Sequence, residues 1–411
     1  ASKCLNQISD LLEKQGSSDA QQQLQTYSAF WKLLGDVRLE QALIPDVSTL
    51  LDCANLEGIT DHISQCCKTK SSFIREAREA YSKVIGKTTC LGRAWHDLAL
   101  TFYAESRLNG EYGVSESDAD MKAKACEALM KGLSSDPDDP ALWAAMGIVS
   151  EKENVMEYCL CRSLQLKPNS SDTWVSLAIF YMNRSVFDLA EQCLQNARVH
   201  QASSPHSWAA EGVLRVKVNS NYNSRELFEQ AVHTGNNAYA HVHYALESIM
   251  EGPTAELRKE WVSTQMSLRL DPLNPLCYVC NGVILERSGD FEESVASLKV
   301  ALFLIQTKDV ETLREQNGDG IWSQLGMSVK KNLARVLFKA GKFTEVCKLY
   351  DEVKQKCPGF EWDASSGLVY FIAKSESNTL SQEDIEAAPA SIRGRLHLRV
   401  LLQKGQVKEA V

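Results

Sequence analysis

Apolar residues recur along most of this chain at the three- and four-residue spacing of amphipathic helices, in short segments separated by Gly, Pro and polar turns. In one segment Trp174, Ala178 and Tyr181 fall on a single helix face, and in the next segment Ala190 and Ala197 do the same. Small residues at such positions let two helices approach closely. The pattern therefore predicts helices in consecutive pairs, each with one apolar face.

The pattern returns with a period near 34 residues. Trp143, Trp174 and Trp208 are separated by 31 and 34 residues, and a period of that length marks a helical repeat array. Units in the same frame begin at Trp95, Tyr278 and Leu333. The spacing resembles the tetratricopeptide pattern, with helix A of each unit carrying a large residue at position 4 and Gly or Ala at position 8. Since one helix pair cannot bury its apolar face alone, we expect an all-α, right-handed solenoid with irregular insertions.

The frame divides the chain. We expect residues 73–411 to form the repeat array and residues 1–72 to form an irregular helical segment with a partial repeat at 27–37. After Val37 the frame breaks down, either because the helix pair is irregular or because residues are missing before Arg38.

Three further features modify the array. Residues 106–120 are rich in Gly, Ser, Asp and Glu and predict a solvated loop. The stretch from Ile321 to Lys339 predicts an over-long helix A. A turn and the start of a helix B at 405–410 predict that the array continues beyond Val411.

Composition excludes some classes of protein. A net charge of −9 and a pI near 5.5 argue against a surface whose main role is to bind phosphate backbones, so RNA contact is expected only through partners. The apolar runs are too short to span a bilayer. The thirteen scattered cysteines suit a reducing compartment, so we expect a cytoplasmic protein that can also be nuclear.

Motifs for chemistry are weak. Cys277 and Cys280 form a lone C-x-x-C pair on a predicted helix, and we interpret them as core-facing or groove-lining thiols rather than metal ligands. His241 and His243 lie two residues apart on a helix and do not converge. We predict no catalytic residue, no metal, no cofactor, no small-molecule substrate and hence no enzyme.

The concave face of a tetratricopeptide array is lined by helix A positions 2, 5, 9 and 12. We predict a protein-binding strip at these positions that consists of Ala144, Ile148, Val175, Ile179, Met182, Ala209, Val213, Val216, Leu276, Val279 and Val283. Either the strip binds an apolar segment of a partner, or superhelical coiling and insertions bury it.

The same positions become basic toward the C-terminus. The residues of this predicted basic patch are Lys331, Arg335, Lys339, Arg395 and Arg399. The patch is either a solvated charged face or a docking surface for an acidic partner segment.

Four stretches resemble the tetratricopeptide scaffold subunits of the Superkiller (Ski) complex: Tyr27–Asp36, Arg93–Ala99, Ser207–Gly212 and Glu226–Ala231. The resemblance implies a scaffold that holds a DExH-box RNA helicase and WD40 propeller proteins for exosome-linked 3′-to-5′ mRNA decay. Two alternatives remain open at this point. One is a chaperone- or peptide-binding adaptor of another complex, and the other is the regulatory part of an enzyme whose catalytic domain lies outside this sequence.

Overall fold

The computed structural model describes residues 20–43, 56–86, 91–112, 118–218, 224–250, 257–315, 321–356 and 364–377, together with Thr379 and Arg393. Within these residues it contains seventeen α-helices and no strand. The first eleven are α1 (Ala20–Leu43), α2 (Leu56–Ile85), α3 (Leu91–Tyr112), α4 (Asp118–Ser135), α5 (Pro140–Val149), α6 (Glu153–Leu166), α7 (Ser171–Asn183), α8 (Phe187–His200), α9 (Pro205–Lys217), α10 (Ser224–Thr234) and α11 (Ala238–Met250). The other six are α12 (Leu257–Leu270), α13 (Pro275–Ser288), α14 (Phe291–Glu315), α15 (Ile321–Lys339), α16 (Phe343–Lys356) and α17 (Ala364–Glu376).

The chain divides into two compact units. Unit 1 comprises residues 1–248 and 266–272, and unit 2 comprises residues 249–265 and 273–411. In unit 1, α3 packs on α4, α5 on α6, α7 on α8 and α9 on α10, and each of these pairs contacts a neighbouring pair. In unit 2, α13, α14, α15 and α16 each pack on the next helix in the chain. The predicted all-α solenoid of tetratricopeptide helix pairs is confirmed.

Small residues sit where the helices of one repeat meet. Ala178 on α7 and Ala197 on α8 are fully buried. In the next repeat a Cβ atom added to Gly212 would lie 2.7 Å from Cε1 of Phe228, closer than side-chain atoms approach in folded proteins. Glycine at position 8 therefore makes room for the large side chain of helix B.

Three of the position-4 tryptophans of unit 1 make the same hydrogen bond, which the sequence pattern does not reveal. The indole Nε1–H of Trp143 donates to the carbonyl oxygen of Pro137 at 2.7 Å, and that of Trp174 donates to Pro168 at 2.8 Å. Trp208 donates in the same way to Ala202 at 2.9 Å. Each bond ties a helix A to the turn that precedes it.

The first three helices are longer than a regular repeat requires. Helix α1 runs through Val37 and Arg38 without interruption, and its Gly35 lies against the ring of Tyr81 on α2. The helix A start at 27–37 is therefore paired with the helix B around Tyr81, and residues 38–43 and 56–72 lengthen the two helices.

The predicted solvated loop at 106–120 is wrong for residues 106–112 and 118–120, which are helical, and residues 113–117 lie outside the described residues. Helix α3 continues to Tyr112, and Ser106 and Leu108 are buried. Leu108 belongs to a small core with Ala42 and Ile74, which lie on the extended parts of α1 and α2. Because these extensions bury apolar surface together, the chain there is a helix despite its polar composition.

Two other stretches test the sequence frame. The over-long helix A is confirmed, since α15 spans Ile321 to Lys339. Helices α11 and α12 occupy residues 238–270, a stretch in which the sequence pattern predicted no repeat. The position-4 residue there is the buried His241, which lacks the apolar signature used to find the other repeats. Among the described helices none has the length and apolar character needed to cross a membrane.

Candidate partner-binding groove

The helix A elements of unit 1 lie side by side, because α3 contacts α5 and α7 contacts α9. We call the residues at positions 2, 5, 9 and 12 of these four helices the groove face of unit 1. These positions point away from helix B of the same repeat, which packs against positions 4, 7, 8 and 11.

A cleft of about 370 Å³ opens on this face between α3, α5 and the beginning of α7. Its walls are mostly apolar, and its lining residues are His96, Leu100, Tyr103, Pro140, Ala141, Ala144, Ala145, Ile148, Val149, Ser163, Lys167, Ser170, Asp172 and Thr173. The volume is at the lower end of about 300–1,000 Å³, the range in which proteins hold ligands, and it suits one or two side chains of a bound peptide.

The predicted strip separates into exposed and buried residues. Ile148, Ile179 and Val216 are 47%, 44% and 42% exposed, on three consecutive helix A elements of unit 1. Ala144 and Val213 are half-buried, whereas Val175, Met182 and Ala209 are buried. In unit 2, Val279 is buried and Leu276 and Val283 are half-buried. The exposed residues are the ones that a partner could contact.

The cleft residue His96 belongs to a hydrogen-bond network centred on Asp97. His96 Nδ1 lies 3.3 Å from Asp97 Oδ1, and Lys32 Nζ donates to Asp97 Oδ2 at 3.0 Å. Burial raises the pKa of Asp97, but the hydrogen bonds from His96 and Lys32 outweigh burial, and the net pKa lies below its usual value. The ionised Asp97 therefore fixes the His96 ring through Nδ1, and Nε2 is the ring atom available to a bound peptide.

Several cleft residues were missed by the sequence analysis, namely His96, Leu100, Tyr103 and Lys167. The first three are positions 5, 9 and 12 of the repeat that begins at Trp95. The register rule applied to the middle repeats would have found them. Lys167 follows a helix B and has no position in that rule.

The predicted basic patch is engaged within the protein. Arg335 and Lys339 on α15 both bind the carboxylate of Glu286 on α13, and Lys331 lies one helical turn before Arg335. The other two residues of the patch, Arg395 and Arg399, lie outside the described residues.

The cysteines that the structure describes are buried or half-buried. Cys277 and Cys280 are buried, and burial raises the pKa of the Cys159 and Cys193 thiols to about 11. Such thiols stay protonated and are poor nucleophiles and metal ligands. In the part of the chain that the structure describes, no three His, Cys, Asp or Glu side chains converge as a metal site would require.

No family model and no curated protein matches the sequence. Among solved structures, yeast Tom70 aligns with a TM-score of 0.43 and 13% identity over 98% of this chain and 81% of its own. Cut9 from the APC/C Cut9–Hcn1 hetero-tetramer aligns with a TM-score of 0.42 and 11% identity over 95% of this chain and 84% of its own. YrrB, described as a TPR protein with an unusual peptide-binding site, aligns with a TM-score of 0.31 and 16% identity over 44% of this chain and 93% of its own.

Proposed function

We propose that this chain is a non-catalytic scaffold that binds a segment of a partner protein on the groove face of unit 1. The observation that carries the proposal is the exposure of Ile148 and Ile179 beside an apolar cleft on the same face. Apolar residues that line a concavity are a common basis of peptide recognition.

The cleft favours a particular kind of segment. Leu100, Tyr103 and Ile148 form apolar walls that suit a branched or aromatic side chain. His96 and Lys167 supply polar contacts for the peptide backbone or for a neighbouring acidic side chain. Burying one large apolar side chain stabilises the complex by about 2 kcal/mol, so several repeats must contribute to a stable complex.

We further propose that the assembly is of the Superkiller type, with a DExH-box RNA helicase and a WD40 protein as partners in cytoplasmic mRNA decay. The support is the resemblance of four stretches, two of which begin the helix A elements α3 and α9. RNA contact would belong to the helicase, in keeping with the net charge of −9.

Affinity capture from cytosolic extract, followed by identification of the bound proteins, tests both parts. The wild-type chain is expected to recover a DExH helicase together with a WD40 protein, and the Ile179→Asp variant is expected to lose them. Placing a carboxylate in a desolvated apolar contact costs several kcal/mol unless it is paired.

A matched control is available on the same repeat. Leu189 is 41% exposed, close to the 44% of Ile179, and lies on the helix B element α8 rather than on the groove face. Leu189→Asp should retain the partners. Recovery of heat-shock chaperones alone would contradict the Superkiller assignment while leaving the groove intact. Clear ATP hydrolysis or RNA cleavage by the purified chain would overturn the non-catalytic assignment.

A further inference from the structure

A charged cluster in unit 2 joins two neighbouring helix A elements. Arg335 donates from Nε to Glu286 Oε1 at 2.9 Å and from Nη2 to Glu286 Oε2 at 2.7 Å, as a two-pronged contact. Lys339 Nζ donates to Glu286 Oε1 at 2.7 Å. This is the geometry with which arginine recognises a carboxylate in protein complexes.

Exposure is uneven across the cluster. The Glu286 side chain is only 5% exposed, whereas the side chains of Arg335 and Lys339 are 46% and 48% exposed. The carboxylate therefore lies beneath the two cations, which face solvent. Burial raises the pKa of Glu286, but the hydrogen bonds from Arg335 and Lys339 outweigh burial and lower it overall, so this carboxylate is ionised at neutral pH.

Glu286 does not occupy all the hydrogen-bond donors of Arg335 and Lys339. A guanidinium has five N–H donors and an ammonium has three, and Glu286 accepts two bonds from Arg335 and one from Lys339. Two positive charges against one negative charge also leave a net charge of about +1 at this spot. Because both cationic side chains are about half exposed, their remaining N–H groups can donate to a second carboxylate.

An apolar residue adjoins the cluster on α13. Val283 precedes Glu286 by about one helical turn and is half-buried, so part of its side chain is accessible. A surface that offers cations beside an apolar side chain suits an acidic peptide with interspersed apolar residues better than it suits RNA.

We propose that Arg335 and Lys339 form a docking surface for an acidic segment of a partner protein, and that Glu286 is an internal carboxylate that holds these cations in place and partly neutralises them. This surface is separate from the groove face of unit 1, so either proposal can fail without the other.

The test uses two fluorescein-labelled peptides and the full chain. One peptide is Gly-Glu-Glu-Leu-Glu-Glu-Leu-Gly, and in the other every Glu is replaced by Gln. Fluorescence anisotropy should show that the acidic peptide binds, that the amide peptide does not, and that affinity falls as the salt concentration is raised from about 50 to about 300 mM.

Variants assign the surface. The double variant Arg335→Gln/Lys339→Gln should weaken acidic-peptide binding at least tenfold. The matched control Lys122→Gln/Lys131→Gln removes two lysines that pair with Glu151 and Glu127 in unit 1, and it should bind as the wild type does. Thermal unfolding of each variant shows whether a loss of binding comes from a loss of structure.

Glu286→Gln gives the most specific outcome. It should tighten acidic-peptide binding about three- to tenfold, because an internal negative charge that competes for the cations is removed. A purely structural ion pair would lower thermal stability in this variant and leave binding unchanged. The proposal is overturned if neither peptide binds, if the double variant binds as tightly as the wild type, if Glu286→Gln does not tighten binding, or if an RNA oligonucleotide displaces the acidic peptide.

Discussion

The same repeat positions carry different chemistry in the two units. On the groove face of unit 1, position 9 is apolar and exposed at Ile148 and Ile179. In unit 2, position 9 of α15 is Arg335, which is bound to Glu286 at position 12 of α13. Unit 1 thus presents apolar side chains to solvent, and unit 2 presents an ion-paired cluster.

The contrast shows that the positions of helix A that face helix B determine the fold of a repeat. A small residue of helix A meets a large apolar residue of helix B in both units, as at Ala178 and Leu194 in unit 1 and at Gly282 and Leu298 in unit 2. The positions facing away from helix B can change from isoleucine to arginine while the helix pair is retained. Recognition can therefore vary along the array independently of its folding.

The largest expected effect tests this separation directly. Leu177 and Ile179 are two residues apart on α7, but Leu177 is 4% exposed and Ile179 is 44% exposed. Leu177→Asp should unfold its part of the array, because an unpaired carboxylate in the core costs several kcal/mol. Ile179→Asp should cost about 1 kcal/mol. Thermal unfolding followed by circular dichroism compares the two variants, and equal losses in melting temperature would mean that the strip is internal packing.

Acid should weaken unit 1 in a pH range where the Glu286 cluster of unit 2 is unaffected. Burial lowers the pKa of His243, which stacks against Phe228, to about 4. The unfolded chain protonates this ring near pH 6.5 and the folded chain only near pH 4. The free energy of unfolding is therefore unaffected by this ring above about pH 6.5. It falls progressively as the pH is lowered to 4, by about 3 kcal/mol in total, because only the unfolded chain takes up the proton.

The variant His243→Phe keeps the aromatic stacking and removes the titration. Hydrogen exchange in α11 should then depend less on pH between about 6.5 and 4 after correction for the intrinsic rate, and the remaining dependence should come in part from the buried His241, whose pKa burial also lowers. The exposed-histidine control His233→Phe should behave as the wild type. The pKa of Glu286 is lowered in the folded chain, so its ion pairs contribute fully to the free energy of unfolding above the usual pKa of a glutamate. This contribution is lost only as the pH falls below about 4.5. An equal loss of protection in α11 and α13 between pH 6.5 and 5 would contradict this difference.

The helix pairs were predictable from the sequence because their core positions repeat. Trp174, Ala178 and Ala197 recur with equivalents in neighbouring units, and a period with apolar and small residues at fixed places has few other structural explanations. The repeat at His241 escaped because burial there involves a histidine, which pattern matching treats as polar.

Residues around Ser106 were misjudged for a related reason. Their composition is that of a loop, but Leu108 joins a core formed with Ala42 and Ile74, which are distant in the sequence. Local composition cannot report such a contact. The Glu286–Arg335 pair was equally hidden, since its partners are separated by 49 residues and only the side-by-side packing of α13 and α15 brings them together.

Removing a charge from unit 2 should matter more than removing apolar surface from the groove face of unit 1. Arg335→Ala leaves the buried Glu286 carboxylate with Lys339 alone and should destabilise α13 and α15 by about 1 to 2 kcal/mol. Ile148→Ala, at a site that is 47% exposed, should cost less than about 1 kcal/mol. Hydrogen exchange measured by mass spectrometry gives the local free energy of unfolding around each substituted residue, and so both changes in stability. The Arg335 effect should shrink in about 1 M salt while the Ile148 effect persists, and the opposite salt dependence would contradict the electrostatic assignment.

The smallest predicted effect separates two classes of tryptophan. The indole N–H of Trp174 in unit 1 donates to the carbonyl oxygen of Pro168, whereas Trp261 in unit 2 is 46% exposed on a helix B. Trp174→Phe keeps most of the ring contact but removes the donor, so unfolding of α7 should become easier by about 1 kcal/mol, the net value of one hydrogen bond. Trp261→Phe should lie within about 0.5 kcal/mol of the wild type, as surface substitutions usually do. An independent readout is the temperature dependence of the indole proton shifts, which should be weak for Trp174 and strong for Trp261. If the two substitutions cost the same and the two indole protons respond alike, the indole bond does not stabilise the turn, and the recurrence of tryptophan at position 4 in unit 1 reflects only the size of its ring.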